Sequence, residues 1–281
     1  VCPFDTGFLV VSAAGDAAYS TDGLAWVPWF VTSETMLKAV AADNAGTAVA
    51  VGNDGIILVG SQGVFSQVPS VTDKNLNSIA YGDGHFIAAG DGVLLQSADG
   101  LTWENIFKGK SAAESELSRQ SIQWQSVSYQ ENRFIAVGSK GSVVIGNPGN
   151  FEFQTATADL TFIDAVALSD QQFILLDQNG NYTVSNDGGL NWRLSTIETG
   201  MTSHLVERID SDRILGADAA GHLGQANIVA EIELASPLTG EQLQPGDVCF
   251  LEMYSNSIPA DYTGPGAAGI ELLYISRKHT S

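Results

Sequence analysis

Six stretches of this chain repeat one plan: an apolar run, then a turn ending in glycine. They are FLVVSAAG (Phe8–Gly15), AVAVGNDG (Ala48–Gly55), FIAAGDG (Phe86–Gly92), FIAVGSKG (Phe134–Gly141), FILLDQNG (Phe173–Gly180) and ILGADAAG (Ile214–Gly221). Their starts at 8, 48, 86, 134, 173 and 214 are separated by 40, 38, 48, 39 and 41 residues. Such a period restricts the chain to stacked or radial arrays of one small unit. The third repeat divides into four short strands, Leu76–Tyr81, Phe86–Gly90, Val93–Gln96 and Leu101–Ile106, joined by tight turns. Asp91-Gly92 is a hairpin dipeptide, and the recurring Gly15, Gly55, Gly92, Gly141, Gly180 and Gly221 fit a hairpin position where a Cβ would clash. One four-stranded sheet cannot cover both of its faces, but radial neighbours can. The pattern therefore predicts an all-β fold, a β-propeller of six blades of four antiparallel strands over residues 1–234. A non-repeating C-terminal extension follows over 235–281. A parallel β-helix would need shorter repeats, and the 3.6-residue stripes of a helical solenoid are absent.

With strands lettered A to D in each blade, a second motif falls on the C–D turn. It reads STDGLAW (Ser20, Asp22, Trp26), SADGLTW (Ser97, Asp99, Trp103) and SNDGGLNW (Ser185, Asp187, Gly189, Trp192). Ser and Asp side chains at such positions bond backbone N–H groups of their own turn. The tryptophan then points into the blade packing. This Ser-x-Asp-x-Gly-x-x-Trp pattern resembles the Asp-box repeat of bacterial neuraminidases. SNDGGLNW matches it in full, while the other two are one residue shorter between Asp and Trp. The resemblance implies structural turns remote from any substrate site. Repeats two and four carry GSQGVF (60–65) and GNPGNF (146–151) at the same place, keeping the turn and an aromatic but losing the Asp. That loss favours a turn over a set of metal ligands or acids.

The first repeat begins on strand B, at Phe8, which leaves its strand A to be supplied from elsewhere. Residues 247–254 (DVCFLEMY) are predicted to pair beside Phe8–Ser12 and close the ring. Cys2 and Cys249 would then be neighbours, either bonded or as free thiols. The long step between repeats three and four maps to KGKSAAESELSRQ (108–120), where Ser111 and Glu114 have capping-box spacing for a short helix. Turns of a meander alternate between its two ends, so this insertion lies on the face opposite the Ser-x-Asp turns. Beyond 234, SIPADYTGPGAAG (257–269) reads as loop and GIELLYISRK (269–278) as one more strand, a docking tail for a larger assembly.

The enzymes of the resembling family hold a substrate carboxylate with three arginines and use a Tyr nucleophile. Here the arginines are 119, 133, 193, 208, 213 and 277, none in the first repeat, and no early Arg-Ile-Pro segment occurs. The four histidines, 85, 204, 222 and 279, lack metal-ligand spacing, and neither a nucleophile elbow nor a phosphate-binding loop is written. The reading is of no catalytic, metal or cofactor residues. With 32 acidic against 12 basic side chains the formal net charge is −20, which disfavours nucleic acid. No apolar run approaches the ~20 residues of a membrane span, and no signal-peptide pattern opens these residues. These features lead to the expectation of a non-catalytic recognition or assembly module with protein partners and a surface glycan or receptor. A virion (a bacteriophage tail or decoration protein) or another extracellular surface is the expected location. The alternatives are a lectin or glycoside hydrolase on the same fold, with Trp29, Trp124 and Tyr129 as stacking residues. An assembly chaperone similar to the photosystem II stability factor would use a basic patch, and this acidic chain argues against it.

Overall fold

The computed structural model describes residues 1–32, 35–107, 122–194, 205–210, 213–217 and 223–227. They divide into two compact units, Val1–Ser195 and Thr196–Ser281. The first unit holds five consecutive four-stranded meanders. Blade 1 is β1 (Cys2–Phe4), β2 (Gly7–Val11), β3 (Ala17–Ser20) and β4 (Val27–Val31). Blade 2 is β5 (Leu37–Ala42), β6 (Ala48–Gly52), β7 (Ile57–Ser61) and β8 (Val64–Gln67). Blade 3 is β9 (Leu76–Gly82), β10 (His85–Gly90), β11 (Val93–Ser97) and β12 (Glu104–Asn105). Blade 4 is β13 (Trp124–Gln130), β14 (Arg133–Gly138), β15 (Ser142–Asn147) and β16 (Asn150–Thr155). Blade 5 is β17 (Phe162–Ala167), β18 (Phe173–Asp177), β19 (Tyr182–Ser185) and β20 (Arg193–Leu194). In the second unit, β21 (Leu205–Asp210), β22 (Arg213–Ala217) and β23 (Leu223–Asn227) form an antiparallel three-stranded sheet at the sixth repeat.

Strand B explains the apolar runs of the repeat. In β10, Phe86 and Ala88 pack with Val49, Val51 and Ile57 of blade 2. Ile87 and Ala89, on the other side of the pleat, pack with Trp124, Val127 and Phe134 of blade 4. Both faces are buried, so both alternate sets must be apolar. β14 repeats the arrangement, with Phe134 facing blade 3 and Ile135 and Val137 facing blade 5. Phe86, Phe134 and Phe173, near the start of strand B in blades 3, 4 and 5, each face the preceding blade.

Strand A carries a second regularity that the repeat alone did not reveal. Its register slips by one residue at Leu37/Ala39, Leu76/Ser78, Trp124/Ser126 and Phe162/Asp164. Each slip is a β-bulge beside the last residue of strand B, which is Gly52, Gly90, Gly138 or Asp177. A Cβ on Gly90 would lie 2.1 Å from the Asn75 carbonyl oxygen, so the bulge excludes a side chain there.

Three expectations change. The strand A that the first repeat seemed to lack is β1, whose Cys2, Pro3 and Phe4 pair with Leu9, Phe8 and Gly7. With β3 on its other side, β2 is paired on both edges, the place where residues 247–254 were expected to lie. That segment and Cys249 lie outside the described residues, as do the 108–120 insertion and the 234/235 boundary. Blades 1 and 2 are joined into one eight-stranded sheet, because β4 pairs in parallel with β8 through Phe30–Val64 and Val31–Phe65. The fourth strand of blade 3 is only Glu104–Asn105, shorter than Leu101–Ile106, because the preceding turn takes up Leu101 and Thr102.

Candidate functional site

Each blade has two ends. The A–B and C–D turns form one, and the B–C turns and D–A connections form the other.

At the first end, Asp99 Oδ1 accepts hydrogen bonds from the backbone N–H groups of Leu101 and Thr102, both at 2.8 Å, and from the Ser97 hydroxyl at 3.1 Å. Gly100 N–H donates to Ser97 Oγ at 2.9 Å, and Trp103 Nε1 donates to the Gly100 carbonyl at 2.8 Å. Asp22 repeats this with Ser20, Leu24 and Ala25, and Asp187 with Ser185 and Asn191. The backbone N–H groups of Thr102, Ala25 and Asn191 are the main reason that Asp99, Asp22 and Asp187 lie below the usual carboxylate range. All lone pairs used in this way hold the turn itself. Gly189, at φ 90°, sits where a Cβ would lie 2.7 Å from Ile145 of the preceding blade.

The tryptophans of these turns bridge blades. Trp103 is buried among Val49, Val51 and Ile57 of blade 2. Trp192 donates from Nε1 to Gln154 of blade 4 at 3.3 Å. Phe65 and Phe151 fill the corresponding positions of the turns that lack Asp. Trp26 departs from the expectation of packing into the blade and is 39% exposed. No preceding blade covers it within its unit.

The second end is cross-tied. In four blades the B–C turn donates a backbone N–H to the carbonyl at the start of strand A. The pairs are Asn53 to Met36 (3.0 Å), Asp91 to Asn75 (2.9 Å), Ser139 to Gln123 (2.9 Å) and Gln178 to Thr161 (3.0 Å). Further bonds run between blades. Gly92 N–H reaches the Ile122 carbonyl at 2.7 Å, and Asp54 N–H reaches Asn75 Oδ1 at 3.1 Å. Lys38 Nζ donates to Asn77 Oδ1 at 2.7 Å, and Asn77 Nδ2 donates to Asp91 Oδ1 at 3.1 Å and to the Trp124 carbonyl at 2.9 Å. Asn75 Nδ2 occupies the other oxygen of Asp91 at 3.1 Å. This polar chain links blades 2, 3 and 4 and leaves Lys38, Asp54 and Lys74 exposed on a stiff support. Chemically it offers hydrogen bonding and mixed charge. The motifs of the sequence gave no sign of it. Its signal was the recurrent Gly at the end of AVAVG, FIAAG and FIAVG.

The aromatic candidates do not converge. Trp29 lies in a cluster with Phe4, Tyr19 and Phe65, whereas Trp124 is buried in the core between blades 3 and 4. Tyr129 covers Gly82 and packs on Phe134. His85 Nδ1 lies 2.8 Å from the Asp83 carbonyl at a hairpin. Cys2 is half-buried, and burial pushes its thiol up to about 11. Among the described residues, no three His, Cys, Asp or Glu side chains group as metal ligands, and no helix is long and apolar enough to cross a membrane.

No protein-family model matches this chain, and no curated protein does. Solved structures do. The WD40 β-propeller domain of Doa1 matches with a TM-score of 0.60 at 13% identity, covering 80% of this chain and 77% of that one. The WD40 repeats of RRP9 match with a TM-score of 0.61 at 7% identity, over 79% and 73%. YCF48 from Cyanidioschyzon merolae matches with a TM-score of 0.55 at 16% identity, over 74% and 73%. At such identities the likeness is one of fold: the chain is a β-propeller.

Proposed function

We propose that this chain is a non-catalytic recognition and assembly module that binds protein partners through the end formed by its B–C turns and D–A connections. The observation that carries the reading is the cross-tied backbone of that end. Hydrogen bonds between blades hold the Lys38 side chain and the Asp54 backbone in place before any partner arrives, and backbone ties repeated within the blades stiffen the end that carries them. A partner then loses less freedom on binding. The Ser-x-Asp turns, as Asp-box turns, serve structure at the opposite end. The fold shared with the WD40 domains of Doa1 and RRP9 is consistent with a scaffold. The larger assembly in this reading is a virion, with the chain as a bacteriophage tail or decoration protein, or a cell surface. The formal charge of −20 suits an exposed, soluble particle component.

The genes beside this one test the assembly: capsid, portal and tail genes are expected, and their absence overturns the virion reading. A glycan array and model glycosides test the module itself. Neither saturable glycan binding nor turnover is expected. Turnover that is lost when one carboxylate is replaced would overturn the non-catalytic reading, and saturable glycan binding would replace protein recognition with a lectin.

A further inference from the structure

The outermost strands of the first unit are not alike. β12 and β20 are two residues each, cut short where the Asp99 and Asp187 turns hold the chain. β8 and β16 follow the turns that lack Asp, and they run for four and six residues. The outer edge of β8 is taken by β4 in parallel, with Phe30 N–H donating to the Gly63 carbonyl at 2.8 Å. β16 ends its sheet, so among the described residues its outer edge has no strand partner. Blade 1 reaches blade 2 through Phe30, four residues beyond Trp26. The same position in blade 3 is Phe107, four residues beyond Trp103, and its N–H donates instead to Asn105 Oδ1 at 2.9 Å. The ladder of β16 with β15 is unbroken, and NFEFQT holds neither Lys nor Pro, so the strand lacks the usual devices that blunt an edge. The hairpin decides which of its groups face outward. Ala156 N–H bonds the Gly141 carbonyl across the sheet. By alternation Glu152 and Gln154 turn their backbone groups to β15, and Phe151, Phe153 and Thr155 turn theirs away.

We infer that the outer edge of β16 receives an extended segment of a protein partner, added as a parallel strand in the way β4 adds to β8, with apolar and basic side chains in alternation. Main-chain bonds to the outward groups of Phe151, Phe153 and Thr155 supply the affinity. Side chains set the class of partner. Phe151 and Phe153 lie on the face toward blade 3 and pack with Trp124. The partner residue beside Phe151 is therefore apolar, as Val31 is beside Phe65. Glu152 lies on the other face and is exposed, so the partner residue beside it is cationic. The formal charge of −20 acts in the same direction. It also selects against a second copy of the chain, which would bring the same charge and a second Glu152 to the edge. The edge runs along a strand between the two ends of blade 4, so this inference stands or falls apart from recognition by the B–C turns.

The test titrates the full chain with the peptide acetyl-Lys-Val-Lys-Val-Lys-Val-amide and follows amide hydrogen exchange residue by residue by NMR. The expected result is saturable slowing at Phe151, Phe153 and Thr155, with Glu152 and Gln154 unchanged because β15 already holds them. The same peptide N-methylated at every residue should give no slowing. Glu152→Lys, a change at an exposed side chain, should weaken binding severalfold, and added KCl should weaken it in the unaltered chain. No slowing along β16 would overturn the inference. Equal slowing by the Glu-Val counterpart of the peptide would overturn the choice of a basic partner. Slowing at Asp54 and Gly92 in place of β16 would put the peptide on the B–C turns and overturn the inference while supporting recognition there.

Discussion

Asp99 does for its turn what a capping residue does for a helix, since one oxygen satisfies backbone donors two and three residues ahead. Asp99→Ala should cost about 1 kcal/mol, the usual loss for a helix cap, seen as a lower urea midpoint at unchanged slope. Acid should act on all three turns together. Their carboxylates are held below the ordinary range when folded, so their contribution is complete above about pH 4, the unfolded value. It is lost as the pH falls through the lower folded values. The urea midpoint should therefore drop as the pH falls below about 4. A variant combining Asp22→Asn, Asp99→Asn and Asp187→Asn should show a shallower drop. An equal drop in that variant would assign the acid sensitivity to other carboxylates. The role of these residues was legible in the sequence because a Ser-x-Asp turn is local. The exposure of Trp26 was not, because it depends on which blade stands before it.

At the scale of the element, the two glycines of FIAAGDG, Gly90 and Gly92, have different reasons to exist. Gly92 has φ 76° with open space around it, so alanine there meets only backbone strain, about 1–2 kcal/mol. Gly90 faces the Asn75 carbonyl at the bulge, where no rearrangement short of moving strand A makes room. Gly90→Ala should destabilise more than Gly92→Ala, and hydrogen exchange should quicken at Asp91 N–H, which bonds that same carbonyl. The turn glycine could be read from the dipeptide Asp-Gly. The strand glycine could not be explained from sequence, because its partner lies in another strand. Nor could β1 be read, since Cys-Pro-Phe is too short to alternate and contains a proline.

Across the whole molecule, 32 acidic groups against 12 basic ones make self-repulsion the dominant long-range term. The exposed Lys74–Asp73 pair at 3.8 Å does little to offset it. Raising KCl from about 20 to about 300 mM shortens the Debye length from roughly 20 to below 8 Å and should raise the urea midpoint. A fall would mean that attractive pairs outweigh the repulsion. The blade plan was legible at this scale because each repeat restates it. The joining of blades 1 and 2 was hidden, since parallel pairing of β4 with β8 obeys no local pattern. That pairing has a kinetic meaning. In a repeat array each unit opens against its neighbours only, and adjacent units separate one at a time. Here the Phe30 N–H, bonded to the Gly63 carbonyl at 2.8 Å, cannot be released while the β7–β8 hairpin holds. Backbone pairing therefore couples the first two blades, which should open together as a doublet.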